Sequence, residues 1–134
     1  MSKVIYRKKF EEPSQVSLKV SDNSLEILTD EGEIELSDMH EQDCCENVYA
    51  DWSVAENYKN QLKGKYSEID IRGVAEDGFI ICIGGYYATA YTKIFIPCYN
   101  SQNGYYGSGL ELVIKGGGKT EKHDISEFVD DRID

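Results

Sequence analysis

Between residues 15 and 40, apolar side chains occupy every second position in three successive short runs. The runs are Val16, Leu18 and Val20, then Leu25 and Ile27, then Ile34 and Leu36. A period of two is typical of strands that bury one face. Polar residues at 21–24 and 29–32 separate the runs, and Gly32 tolerates the left-handed backbone of a short turn. The pattern predicts an antiparallel meander.

A helix is predicted after this meander. Ser53 and Glu56 have the spacing of a capping box, in which each residue satisfies a backbone amide at the helix start. Apolar residues then recur at helical spacing at Val54, Tyr58 and Leu62. We place the helix at about residues 54–63.

Further runs rich in β-branched and aromatic residues predict more strands. They cover residues 66–74, 78–84, 89–99 and 109–115. The expected fold class is α+β, an antiparallel sheet of about six or seven strands with one main helix packed on one face. A chain of 134 residues suits a single domain, 1–134. We expect an N-terminal arm at about 1–14 and a C-terminal tail at about 126–134 to be peripheral.

The charge is strongly uneven along the chain. Residues 20–58 contain twelve Asp and Glu and no Lys or Arg, and the formal net charge is −11. Nucleic-acid binding requires clustered basic residues, so nucleic acid is excluded as a partner. No apolar run is long enough to cross a membrane, and no signal peptide is evident. The expected location is the cytoplasm, where Cys82 and Cys98 are predicted to be reduced core thiols.

The acidic stretch contains a group of side chains that are competent metal ligands. They are His40, Asp43, Cys44 and Glu46. Imidazole, thiolate and carboxylate groups suit zinc. The alternative is a structural turn in which His40 and Asp43 form hydrogen bonds and one cysteine packs inward. A cysteine nucleophile is disfavoured because the surrounding carboxylates raise thiol pKa values. No catalytic motif stands out, so an enzyme is not the preferred hypothesis.

Two Gly-Tyr-Tyr segments form a second group. The candidate binding residues are Tyr86, Tyr87, Asn103, Gly104, Tyr105 and Tyr106, with Arg72 for a phosphate. Glycine lets a backbone approach a ligand closely, and tyrosine offers a rigid ring with a polar tip. A planar, nucleotide-like molecule stacked between the two segments would fit this chemistry. The alternative is a pair of loops whose tyrosines cap the core.

These two groups resemble the motifs of a family of small bacterial and bacteriophage domains of unknown function. The first motif runs from His40 through Cys45 to Tyr49, and the second from Tyr99 to Tyr106. Gln102 separates the Ser and Asn that the family usually joins. The resemblance covers about residues 24–115 and implies a hairpin before the first motif and a short helix after it. It also implies a phage, prophage or host-bacterial setting, with no established activity.

Three functional hypotheses follow. The first is a non-catalytic acidic binding module, a phage-type accessory protein that engages a basic host protein through residues 26–51. The second is a protein that binds or sequesters a small nucleotide-like ligand. The third is a metal-binding protein that uses the His-Asp-Cys-Cys-Glu segment. Monomer and homodimer both fit an uncovered strand edge.

Overall fold

Strands dominate the structure. The computed structural model describes residues 2–39, 48–74, 77–84, 92–100 and 109–131. In chain order the elements are β1 (Ser2–Val20), β2 (Ser24–Thr29), β3 (Gly32–Met39), β4 (Val48–Ala50), η1 (Trp52–Gln61), β5 (Lys65–Val74), β6 (Gly78–Gly84), β7 (Thr92–Asn100), β8 (Glu111–Gly116), β9 (Lys119–Asp124), η2 (Ser126–Phe128) and β10 (Asp130–Asp131). The sheet order is β10, β7, β6, β5, β1, β2, β3, β8, β9, and β4 pairs with β7. β10 runs parallel to β7, whereas the other strand pairs are antiparallel.

The predicted α+β class is wrong, because the protein is mainly β. The segment expected to be the main helix is a 3-10 helix, η1, which begins at Trp52. Trp52 and Ala55 are buried and Tyr58 is partly buried, so the inward-facing residues recur every three positions. That is the period of a 3-10 helix, whereas the predicted stripe at Val54, Tyr58 and Leu62 assumed a period near four.

The N-terminal cap of η1 also differs from the prediction. Asp51, one residue before the helix, accepts a hydrogen bond from the Ser53 backbone N–H at 3.2 Å and another from the Ser53 hydroxyl. Ser53 was expected to be the cap itself. An aspartate at this position accepts a hydrogen bond from the backbone N–H two residues later, which has no acceptor within the helix.

The predicted N-terminal arm is part of the longest strand. Residues 2–9 of β1 pair with β5, and Val16 to Val20 pair with β2. A register shift between Val4 and Tyr6 moves the side chains of β1 from one face of the sheet to the other. Such a bulge breaks the period of two, so the alternation that marked β2 and β3 is not visible in residues 2–9.

A second register shift lies between Lys9 and Ser14; Ser14 and Gln15 still pair with β5, and pairing with β2 begins at Val16. Over this corner, residues 9–16, β1 passes from the half of the sheet that contains β5, β6, β7 and β10 to the half that contains β2, β3, β8 and β9. The β2–β3 turn closes this corner. Glu31 Oε2 accepts from the backbone N–H of Glu11 at 2.7 Å, and Asp30 Oδ2 accepts from that of Gln15 at 3.2 Å. In return, the Asp30 N–H donates to the buried Ser14 hydroxyl at 2.8 Å. Backbone groups that leave the ladder at the bulge therefore find side-chain partners.

One hydrophobic core joins the two halves of the sheet. Ile69 and Ile71 from β5 and Ile81 and Ile83 from β6 belong to the same buried cluster as the inward residues of β2, β3 and β8. A single cluster requires the inner faces of the two halves to face each other. The sheet therefore curls at the corner of β1 and encloses the core.

The C-terminal tail is also packed in its described part. Phe128 in η2 is 4% exposed and lies against Gly73, where an added Cβ would stand 2.3 Å from two carbons of the phenyl ring. Lys3 Nζ lies 3.7 Å from Glu127 Oε1, which brings η2 to the start of β1. Phe128 and Val129 therefore belong to the core, which differs from the prediction that the tail is peripheral.

Replacing Gly73 by alanine is expected to destabilise the protein by about 1–3 kcal/mol, because the new methyl group overlaps the Phe128 ring. Urea unfolding followed by tryptophan fluorescence measures the loss. Gly116→Ala is the matched control, since its Cβ would meet nothing closer than 3.4 Å. The Gly73→Ala cost should shrink in a Phe128→Ala background, and an equal cost in both backgrounds would contradict the contact.

Candidate functional site

Most of the predicted site residues lie outside the described residues. They are His40, Asp43, Cys44 and Glu46 of the metal hypothesis, and Tyr86, Tyr87, Asn103, Gly104, Tyr105 and Tyr106 of the ligand hypothesis. Within the ranges that the structure describes, no group of three or more His, Cys, Asp or Glu side chains could hold a metal ion. Zinc binding by the His-Asp-Cys-Cys-Glu segment stays a prediction.

The described residues at the ends of the two motifs do come together. Met39, just before the first motif, pairs with Glu111 at the start of β8. Val48, in the last part of that motif, pairs with Asn100, in the first part of the second motif. The chain therefore enters and leaves both motif segments at the same end of the sheet. We call this region, marked by the ends of β3, β4, β7 and β8, the motif end.

Asp38 holds the motif end together. Its Oδ1 accepts from the Trp52 indole N–H at 2.8 Å, and its Oδ2 accepts from the Ala50 backbone N–H at 3.0 Å. Trp52 is 1% exposed and packs edge-on against Phe79 with ring centroids 5.5 Å apart. One carboxylate of the acidic stretch thus connects β3 to β4 and to η1.

The two described cysteines are core residues, as predicted. Cys82 is 5% exposed and Cys98 is fully buried. Burial, with a smaller contribution from the carboxylate of Asp38, raises the pKa of the Cys98 thiol to about 12. A thiol held neutral in this way is a poor nucleophile and a poor metal ligand.

The Gly-Tyr-Tyr segment at residues 85–87 is flanked by a different part of the sheet. Gly84 and Thr92 flank residues 85–91 and lie where β7 begins, whereas Asn100 lies where β7 ends. Eight residue steps along a strand separate these two points by about 26 Å. The flanking residues therefore do not favour one planar ligand held by both tyrosine pairs.

Arg72 lies on the outer face of β5 beside a buried carboxylate. Its Nε donates to Asp70 Oδ1 at 3.1 Å, and the Asp70 side chain is 3% exposed. Arg7 on β1 is directly opposite Asp70, with 4.0 Å between its guanidinium and Oδ2. An anionic ligand at Arg72 would have to compete with Asp70, so the phosphate role predicted for this residue gains no support.

Many of the described carboxylates of the acidic stretch have partners within the fold. Strand pairing aligns Lys19, Glu26, Glu35 and Lys115 across four neighbouring strands, so each of the two glutamates has a lysine beside it. Directly opposite side chains of unlike charge attract one another across a sheet. Asp30, Glu31, Asp38 and Asp51 accept hydrogen bonds that shape the corner, the motif end and η1. An uninterrupted negative surface over residues 26–51 is therefore not what the described residues form.

A cleft opens where the curled sheet brings β9 opposite the first half of β1. Its volume is about 260 Å³. We call it the seam cleft, and its polar lining consists of Tyr6, Lys8, Glu31, Glu33, Lys119 and Glu121. Gly116 and Gly117 of the β8–β9 turn complete the wall.

The register shows that the seam cleft lies on the inner face of the sheet. On β1, Tyr6 pairs with Ile71 and Lys8 with Ile69, both core residues. On β9, Glu121 pairs with the core residue Ile114. Directly paired residues share a face. Charged side chains therefore point inward from both edges that border the cleft.

Two titratable side chains on the inner face near the seam cleft are partly shielded from water. Burial, and secondarily the carboxylate of Glu121, raise the pKa of the Tyr6 phenol. On the same strand face, His123 Nε2 is buried without a hydrogen-bond partner among the described residues, although it lies 3.5 Å from Glu121 Oε1. Lys8 is paired with Glu31 at 3.7 Å. The cleft thus offers Glu33 and Glu121 against Lys119.

Sequence reasoning missed this site for a physical reason. β9 carries polar residues on both faces, so it shows no apolar alternation. The signal that could have found it is Gly117-Gly118, where both residues have positive φ, 59° and 77°, as in a two-residue type I′ hairpin. That the hairpin then faces β1 depends on the curl of the whole sheet.

A second cavity, of about 320 Å³, lies behind the corner and is lined by Gln15, Asp30, Leu62 and Gly64, among others. The backbone N–H of Gln15 and the carboxylate of Asp30 already bond to each other there. Its polar groups are thus used in closing the corner.

The fold and the cleft define a mainly-β domain with a polar groove at its seam. No protein-family model, no curated protein and no solved structure matches this chain. No described helix combines the length and the apolar character needed to traverse a membrane.

Removing the carboxylate at the motif end should destabilise the protein. Asp38→Ala leaves the indole N–H of Trp52 and the N–H of Ala50 buried without an acceptor, at a cost of about 2–4 kcal/mol. Urea unfolding reports it through Trp52, the single tryptophan. Asp22→Ala, in the exposed β1–β2 turn, is the control and should cost less than about 0.5 kcal/mol. An equal effect of the two substitutions would refute the anchoring role of Asp38.

The described thiols should resist modification in the folded state. In a Cys44→Ser, Cys45→Ser variant, a thiol reagent at pH 8 should label neither Cys82 nor Cys98, and should label both after denaturation. With a pKa of about 12 for Cys98, only ~10⁻⁴ of that thiol is ionised at this pH. Rapid labelling of the native variant would show that these residues are accessible.

Proposed function

We propose that the protein is a non-catalytic binding module that takes a basic segment of a partner protein at the seam cleft. The observation that carries this proposal is the excess of carboxylates in the cleft, whose lining contains Glu31, Glu33 and Glu121 but only two lysines, Lys8 and Lys119. This excess and the negative net charge of the chain both attract a segment of positive charge.

Binding rather than catalysis is favoured by the chemistry of the cleft. Its groups are carboxylates, ammonium groups and a phenol whose pKa is raised, so the phenol is a weaker acid than usual. None of the described lining residues is a thiol or a hydroxyl nucleophile beside a base. An ammonium or guanidinium group would form charge-assisted hydrogen bonds with these carboxylates.

The location of the proposed contact differs from the first hypothesis. Among the described residues of 26–51, the four at 31–34 line the cleft, and β1, β9 and the end of β8 with its turn supply the other described residues. The resemblance to bacterial and bacteriophage domains suggests a bacterial host protein as the partner. The class of partner, a protein with basic residues, is retained from that hypothesis.

A short basic peptide tests the proposal. An acetylated and amidated octapeptide of alternating Lys and Val should perturb the amide resonances of Tyr6, Gly117 and Glu121 in a titration followed by NMR. The same length of alternating Glu and Val should not. Binding should weaken as salt rises, because the contact is electrostatic. No perturbation by millimolar Lys-Val peptide would overturn the proposal.

Matched variants locate the contact. Glu121→Gln keeps the size of the side chain and removes one charge from the cleft, and should weaken peptide binding about threefold to tenfold. Glu56→Gln removes a charge from η1, where Glu56 is paired with Lys59, and should leave the affinity unchanged. An equal effect of both variants would mean that only net charge matters.

A further inference from the structure

The free edge of β9 borders the seam cleft. β9 is the last strand in the sheet order, and no described strand pairs with its second edge. Across the cleft, residues 2–9 of β1 pair with β5 on one edge and with no described strand on the other. Exposed backbone of this kind is a template for another extended segment.

The hairpin geometry determines which backbone groups of β9 face outward. Gly117 and Gly118 form a two-residue turn, so Gly116 and Lys119 are the first hydrogen-bonded pair. Hydrogen-bonded pairs then alternate with non-bonded ones along the ladder. The N–H and C=O groups of Thr120 and Lys122 therefore point to the free edge, whereas those of Glu121 point to β8.

We infer that the basic partner segment binds as an added β-strand, antiparallel to β9, with alternate basic side chains entering the seam cleft. This inference rests on the proposed function and specifies its mode. The charge argument favours a basic segment over a second copy of this chain, because β9 of a second copy would bring another carboxylate, Glu121, together with Lys119. Inward charges at a free edge also disfavour apolar strands, so they select for a complementary charged one.

The pairing rules predict which peptide amides matter. An added strand that hydrogen-bonds to Thr120 and Lys122 places the directly opposite residues on the same face as these two side chains, the outer face. Its inward residues, the basic ones, direct their N–H groups away from β9. In the Lys-Val octapeptide, the valine amides should therefore bond to β9 and the lysine amides should not.

Two N-methylated forms of the octapeptide test this prediction without altering the protein. Methylation of the valine backbone nitrogens removes the N–H donors that face β9 and should weaken binding by at least about tenfold. Methylation of the lysine backbone nitrogens keeps the charge, the length and the number of added methyl groups. This form should retain most of the affinity. Equal affinity of the two forms would overturn strand addition.

A substitution in β9 provides the complementary test. Thr120→Pro removes an outward N–H that the hairpin does not use, so the hairpin should fold while peptide binding falls. Thr120→Ala is the control and should bind like the parent protein. Thermal unfolding of both variants checks that the fold is kept. Full binding by a folded Thr120→Pro variant would contradict the inference.

The outcomes separate the inference from the proposed function. If binding depends on charge but not on which amides are methylated, the proposed function stands and strand addition falls. If the Lys-Val and Glu-Val peptides bind alike, both fall. Light scattering tests the alternative that a second copy of this chain pairs with β9. If the parent protein is a dimer and the Thr120→Pro variant is a monomer, β9 pairs with a second copy, and the inference is overturned.

Discussion

The corner of β1 is the constraint on which the rest of the structure depends. A single strand pairs with β5 as far as Gln15 and with β2 in its last five residues, so the chain must change partner without leaving backbone N–H groups unsatisfied. Glu31 and Asp30 accept from the two amides that flank the corner, and Pro13 between them has no N–H to satisfy. Because both acceptors come from the β2–β3 turn, the corner and the meander form together. The core and the seam cleft both follow from the curl that this corner produces.

Neighbours in the sequence are poor guides to neighbours in this protein. The acidic stretch looks like one continuous field when it is followed along the chain. Strand pairing places Lys19 beside Glu26 and Lys115 beside Glu35, so the sheet mixes charges that the sequence separates. The carboxylates of Asp38 and Asp51 accept hydrogen bonds at element junctions. The charges that remain available for recognition are those at the seam cleft, where the edges of β1 and β9 face each other.

Local patterns predicted the strands whose period of two is intact. β2, β3, β5, β6 and β8 fall where apolar alternation or β-rich runs indicated them, and Gly32, which has a positive φ, begins β3 directly after the predicted turn. β1 before residue 10 was missed because its bulge shifts the alternation, and η1 was assigned the wrong helical period. The seam cleft could not be predicted from the sequence, since no local pattern indicates that Tyr6 and Glu121 line the same cleft.

Inward-pointing charges at the border of a core need an explanation, because burying an unpaired charge is costly. Here they keep contact with water: the Glu121 side chain is 47% exposed and that of Lys8 is 33% exposed. Their attraction for a basic group is therefore screened and contributes modestly to affinity. Backbone pairing along β9 is insensitive to sequence, whereas the cleft charges discriminate between strands. The two features are complementary, because an edge alone would accept many strands and the charges alone would hold few of them tightly. A module built this way gains its affinity from the edge and its selectivity from the cleft.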